Sequence, residues 1–111
     1  MQKLCDLDAI QEDQSKGFEI DGVSLFAVRK DGQVHVYQNQ CPHLSIPLEF
    51  MPDQFLDSEN YFIQCSTHGA LFEVESGNCV SGPCVGDKLT PIECSVDNNQ
   101  ILVRLPESVT A

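Results

Sequence analysis

The sequence predicts a small all-β protein. Three features carry the prediction: short runs of β-branched and aromatic residues alternating with period two, turn-forming residues spaced between them, and little helical periodicity. At 111 residues the chain is the size of one domain, and no internal repeat or low-complexity linker divides it.

Along the chain, residues 7–14 are the one stretch suited to a helical turn. Residues 23–30 (VSLFAVRK) and 33–38 (QVHVYQ) form a hairpin, because Asp31-Gly32 between them supplies the two residues of a tight turn. Residues 39–60 hold few strand formers and three prolines, Pro42, Pro47 and Pro52. A loop that long is uncommon in a compact domain unless it is functional, so something other than a strand ladder must organise it. Strand patterns return at 61–65, 71–74, 92–96 and 100–105, with Glu75-Ser76-Gly77-Asn78 and Asp97-Asn98-Asn99 as turns. Ile92, Cys94 and Val96, then Ile101, Val103 and Leu105, alternate as half-buried strands do.

Composition narrows the function. Six Lys and Arg stand against 17 Asp and Glu, a net charge of −11, which repels phosphate backbones and anionic lipid and favours a protein partner with a basic face. The start, MQKLCDLDAI, has Asp6 and Asp8 where a signal peptide needs an apolar core, and no apolar run approaches the ~20 residues that span a bilayer. A soluble, cytoplasmic protein is expected. In a reducing compartment, six cysteines in so short a chain point to metal binding rather than a disulfide scaffold.

Cys41-Pro42-His43 and Cys65-Ser66-Thr67-His68 each pair a cysteine with a histidine, and 21 residues, 44–64, separate the two motifs. Two thiolates and two imidazoles suit one tetrahedral zinc or a mixed-ligand [2Fe–2S] cluster. Zinc fingers usually run their cysteines together and then their histidines, whereas here each loop supplies one of each. That alternation favours a cluster.

CPHL at 41–44 and CSTHG at 65–69 resemble the two ligand loops of Rieske [2Fe–2S] proteins, and Gly77, Ser81-Gly82-Pro83 and Leu89 resemble the loop that covers the cluster. The resemblance spans the chain. It implies one domain over 1–111: an antiparallel β-sandwich or barrel base, 1–38 and 87–111, with a small cluster-binding subdomain whose loops lie within 39–86. It also implies one Rieske-type [2Fe–2S] cluster, with Cys41 and Cys65 on one iron and His43 and His68 on the outer one.

Departures from the family pattern refine the expectation. The positions that form an extra disulfide in respiratory-complex members are Ile46 and Thr67 here, and Ala70 and Phe72 replace a serine and a tyrosine that hydrogen-bond the cluster. Fewer donors and the surrounding negative charge should lower the reduction potential. Residues 51–60 read as an insertion relative to ferredoxins of bacterial oxygenase systems.

The resemblance therefore implies a ferredoxin that is not catalytic alone. It is expected to be a monomer when free, taking single electrons from a flavin- or iron-containing reductase and passing them through His43 and His68 to a terminal oxygenase. Leu44, Ile46, Ala70 and Pro83 are expected to give that exit an apolar surface. The alternatives are a fixed subunit like the small Rieske-type subunit of nitrite reductase, and a zinc-organised interaction module.

The other reactive residues have plainer expectations. His35 should face away from Val34 and Val36 and lie exposed, while Cys5 and Cys94 should pack in the core. Cys79 and Cys84 are expected to be free thiols. Glu12-Asp13 and Asp57-Ser58-Glu59 lack calcium-loop spacing and read as a solvated face or a docking patch for a basic partner.

Overall fold

The computed structural model describes residues 2–40, 55–57, 61–65, 69–82 and 85–105. They form nine strands and a single 3-10 turn: β1 (Gln2–Asp6), the turn Leu7–Ala9, β2 (Gln14–Ile20), β3 (Val23–Lys30), β4 (Gln33–Gln38), β5 (Ile63–Gln64), β6 (Leu71–Phe72), β7 (Cys79–Ser81), β8 (Glu93–Asp97) and β9 (Gln100–Arg104). The strands pair antiparallel into three sheets of three, ordered β1-β9-β8, β2-β3-β4 and β5-β6-β7.

Three two-residue turns set the registers. Asp21-Gly22, Asp31-Gly32 and Asn98-Asn99 all have positive φ at both positions, so Ile20 pairs with Val23, Lys30 with Gln33 and Asp97 with Gln100. Asp and Asn tolerate the left-handed conformation better than other non-glycine residues, which is why these turns are built from them. The β3–β4 hairpin occupies the residues predicted for it, and the predicted helical turn shrinks to three residues.

The middle sheet is buried on both faces. Leu25, Ala27 and Val36 join Ile101 and Val103 of β9 in one core, while Phe26, Val28 and Tyr37 join Ile63, Phe72 and Leu89 in the other. β3 thus reads as a near-continuous apolar run because alternate side chains serve different cores. Cys5 and Cys94 lie against the first core; burial pushes both thiols up, with Asp6 adding at Cys5, so both stay neutral and pack as small hydrophobes. His35 faces away from Val34 and Val36, as expected, but is half-buried rather than exposed.

Two strands, β2 and β7, were not anticipated, and of β1 only the strand pattern at Cys5 was. β1 and β2 carry too many polar residues to alternate clearly, and β7 is only three residues long. The acidic pair Glu12-Asp13, read as a solvated face or a docking patch, is exposed and also ties the turn region to the hairpin. Gly32 N donates to the Glu12 carboxylate at 3.2 and 3.3 Å, Arg29 Nε lies 3.9 Å from Glu12 and Lys30 Nζ lies 3.9 Å from Asp13.

Tyr37 links the two halves of the second core. Its buried hydroxyl donates to Val74 O at 2.7 Å, and burial, reinforced by Glu75, pushes it from an ordinary value of 10.0 up to about 12. A group that stays neutral in the fold but ionises when unfolded removes stability as pH rises from about 10 to about 12. Tyr37→Phe leaves the Val74 carbonyl unpaired, so it should lower stability by about 1–2 kcal/mol at neutral pH. Urea unfolding across pH 7 to 12 checks both effects, because the variant should show a shallower loss over the alkaline window than the parent.

Candidate metal centre

The β5-β6-β7 sheet carries the second ligand motif. β5 ends at Gln64, and Cys65 follows it with a fully buried side chain that forms no disulfide. Cys65 N donates to Ala70 O at 2.9 Å and Gly69 N donates to Cys65 O at 2.7 Å. These two bonds hold Cys65 against Gly69 and Ala70, and Gly69, at φ +68, takes a conformation that an L side chain would strain. The sequence puts the CSTHG motif here because strand residues on both sides, Ile63 with Phe72 and Gln64 with Leu71, hold its ends in register.

A second segment closes over this loop. Gly82 has φ +102, and a Cβ there would sit 2.8 Å from Ala70 Cα and 3.0 Å from Ala70 Cβ. Only a residue without a side chain lets the segment after β7 approach the Cys65 loop so closely. Val85 N donates to Gly82 O at 3.4 Å, and Cys79 N donates to Asp87 O at 2.9 Å. Cys79 is buried, and its thiol donates to Ser81 O at 3.3 Å.

Of the residues singled out in the sequence, Cys65 and Ala70 are brought together, while Cys41, His43, His68, Leu44, Ile46, Pro83 and Cys84 lie outside the described residues. Ala70 corrects the expectation of an exposed apolar rim: it is fully buried under Gly82. Val85, 63% exposed, is the apolar side chain this segment presents instead. Among the described residues no three His, Cys, Asp or Glu side chains converge.

The donor chemistry at Cys65 fits a thiolate ligand of an iron–sulfur cluster. A soft sulfur donor stands at a loop closed by backbone hydrogen bonds, and fully buried Ala70 and Phe72 flank it without a hydroxyl. Part of the surrounding frame was not anticipated. Phe55, within the stretch read as loop, is fully buried and stacks on Phe26 with ring centroids 4.4 Å apart and planes 5° apart. Its neighbours 55–57 pair with 62–64, through Leu56 with Ile63 and Asp57 N donating to Phe62 O at 2.9 Å. Asp57 Oδ1 accepts from Tyr61 N at 2.8 Å and Phe62 N at 3.1 Å, so this acidic residue caps a turn. The apolar pair Phe55-Leu56 between polar residues was the only local signal for this packing.

Gly82 and Gly86 form a controlled pair, since both have φ +102 but nothing lies within 4 Å of a Cβ at Gly86. Alanine at either incurs backbone strain of about 1–3 kcal/mol. At Gly82 the clash adds about 1–3 kcal/mol and pushes the covering segment away from Ala70. The measurement is denaturant stability with bound iron per chain, and Gly82→Ala should fall below Gly86→Ala in both.

Comparison with known proteins agrees with this frame. The Rieske [2Fe-2S] domain family profile matches residues 1–100. The ferredoxin component of the naphthalene 1,2-dioxygenase/salicylate 5-hydroxylase systems of Ralstonia sp. is 25% identical over 100 residues, covering 89% of this chain and 89% of that protein. Human apoptosis-inducing factor 3 is 23% identical over 101 residues, covering 91% of this chain, which spans 16% of the human protein's length. Among solved structures, the ferredoxin of carbazole 1,9a-dioxygenase from Nocardioides aromaticivorans IC177 superposes with a TM-score of 0.77 at 26% identity, covering 94% of this chain and 96% of that one.

Proposed function

Because the chain belongs to the Rieske [2Fe-2S] domain family, we propose that it is the ferredoxin of an oxygenase system, carrying single electrons from a reductase to a terminal oxygenase. The observation that supports this reading best is the match over nearly the full length of two dioxygenase ferredoxins, joined to a buried, unbridged Cys65 in a loop closed by its own backbone.

In this reading Cys41 and Cys65 hold one iron and His43 and His68 the other, within a single domain over 1–111. When bound, the cluster supplies reversible one-electron chemistry. The protein's own residues set the conditions. Fully buried Cys65, Ala70 and Phe72 keep water from the sulfur side of the site. Gly82 brings the covering segment against Ala70, and the two backbone bonds between Cys65 and its loop fix the angle at which the thiolate is presented. Ala70 and Phe72 donate no hydrogen bond, and a net charge of −11 opposes an added electron, so the potential sits at the low end of the Rieske range.

The chain acts as a carrier rather than a catalyst, its acidic surface steering encounter with basic partners. Among the described residues no helix is long and apolar enough to cross a membrane, and the working location proposed is the cytoplasm.

Two substitutions test the ligand set together. His68→Cys should abolish the Rieske spectrum, whereas Cys5→Ser, in the other core, should leave it intact. Visible absorption and electron paramagnetic resonance read both outcomes, and an unchanged spectrum in the His68 variant contradicts the ligand assignment.

A further inference from the structure

The β5-β6-β7 sheet has two ends. Its register, Ile63 with Phe72 and Gln64 with Leu71, puts Cys65 beside Ala70 at one end and Phe62 beside Glu73 at the other. At the second end a groove of about 390 Å³ opens between the β3–β4 turn, the start of β5 and the β6–β7 turn. Tyr61, Phe62, Val74 and Val80 supply its apolar walls, and Asp31, Glu73 and Glu75 line it with three carboxylates against one ammonium, that of Lys30.

The geometry of those groups selects a ligand chemistry. Lys30 Nζ lies 5.0 Å from the Tyr61 ring centroid and 3.9 Å from Asp13, so the resident cation is held against the wall. Glu73 and Glu75 are exposed on either side of buried Val74, and Glu73 Oε1 is positioned by Ser76 Oγ, which donates to it at 3.0 Å. Tyr61 is 59% exposed and Val80 46%, an unusual exposure of apolar surface beside an acidic rim. A guanidinium on a three-carbon stem matches this combination, since it lies along aromatic and aliphatic walls and forks to carboxylates.

We propose that this groove is a second docking surface that takes an arginine-bearing segment of a partner protein. Because it lies at the end of the sheet away from Cys65, a partner anchored there leaves the ligand loops clear for electron exchange. That use rests on the carrier reading; the binding does not.

The test is a fluorescence-anisotropy titration of the holoprotein, at low salt, with the peptide fluoresceinyl-Gly-Arg-Leu-Arg-Gly-amide, labelled at its N-terminal amine. Saturable binding is expected, weakened about tenfold by Glu73→Gln with Glu75→Gln and several-fold by Tyr61→Ala. Glu19→Gln with Asp97→Asn changes net charge equally on the other two sheets and should leave affinity within about twofold. Equal weakening by both double variants would mean that overall charge alone attracts the peptide, and would overturn the proposal. Equally tight binding of fluoresceinyl-Gly-Lys-Leu-Lys-Gly-amide, labelled at the N-terminal amine alone, or no saturable binding, would overturn it too. Iron content and the reduced-state resonance spectrum of the same preparation report on the carrier reading separately.

Discussion

Cys65→Ala is expected to yield a folded but colourless protein with iron reduced to background. The substitution removes a soft donor from a fully buried position that a water molecule is poorly placed to fill, in a loop whose backbone is already fixed by bonds to Ala70 and Gly69. Ligand loss at such a site is all-or-none for the cluster, while the strands around it keep their own cores. Stability should nevertheless fall, because binding of a metal centre to the native state adds to folding free energy. Cys79→Ala is the informative companion. Its thiol is also buried, but it donates to Ser81 O, so it should retain the cluster and lose only packing. Iron analysis with thermal unfolding of both proteins separates a ligand from a packed cysteine.

Phe26→Ala should have the largest effect on stability, about 3–5 kcal/mol. Phe26 is fully buried in the core beneath the candidate site, stacked on Phe55 at 4.4 Å and tilted against Tyr37 at 6.0 Å. A domain of this size has a total stability of about 5–15 kcal/mol, so the variant lies near the edge of folding. Phe55→Ala removes the other half of the stack, and the double variant should be less destabilised than the sum of the singles by about 0.5–1.5 kcal/mol. Val96→Ala, at a residue 48% exposed in the opposite sheet, should change stability by no more than about 0.5 kcal/mol. Urea unfolding of the four variants measures each value.

The sequence carried the hairpin, the β8–β9 pair and the ligand motifs for different reasons. Asp31-Gly32 and Asp97-Asn98-Asn99 are local signals, complete within a few residues, and the structure places turns at both. Asp21-Gly22 has the same chemistry and makes the same turn, yet β2 before it has too mixed a pattern to read as a strand, since only its pairing with β3 gives it a buried side. Phe55, Gly82 and Asp57 were legible only in part because their roles are long-range. Nothing near Phe55 in sequence announces Phe26, and the approach of Gly82 to Ala70 spans two strands. Ala70 was misjudged as surface for the same reason, because its cover arrives from a distant part of the chain. Glu12 is exposed, as the solvated reading expected, but its carboxylate and that of Asp57 also accept backbone hydrogen bonds that the sequence pattern does not announce.

The central claim is the cluster itself. Electron paramagnetic resonance of dithionite-reduced protein, prepared without oxygen and with iron, sulfide and zinc counted on the same sample, tests it most directly. Two irons and two sulfides per chain are expected, with a rhombic signal whose average g lies below the free-electron value. A silent, colourless sample holding one zinc per chain would contradict it.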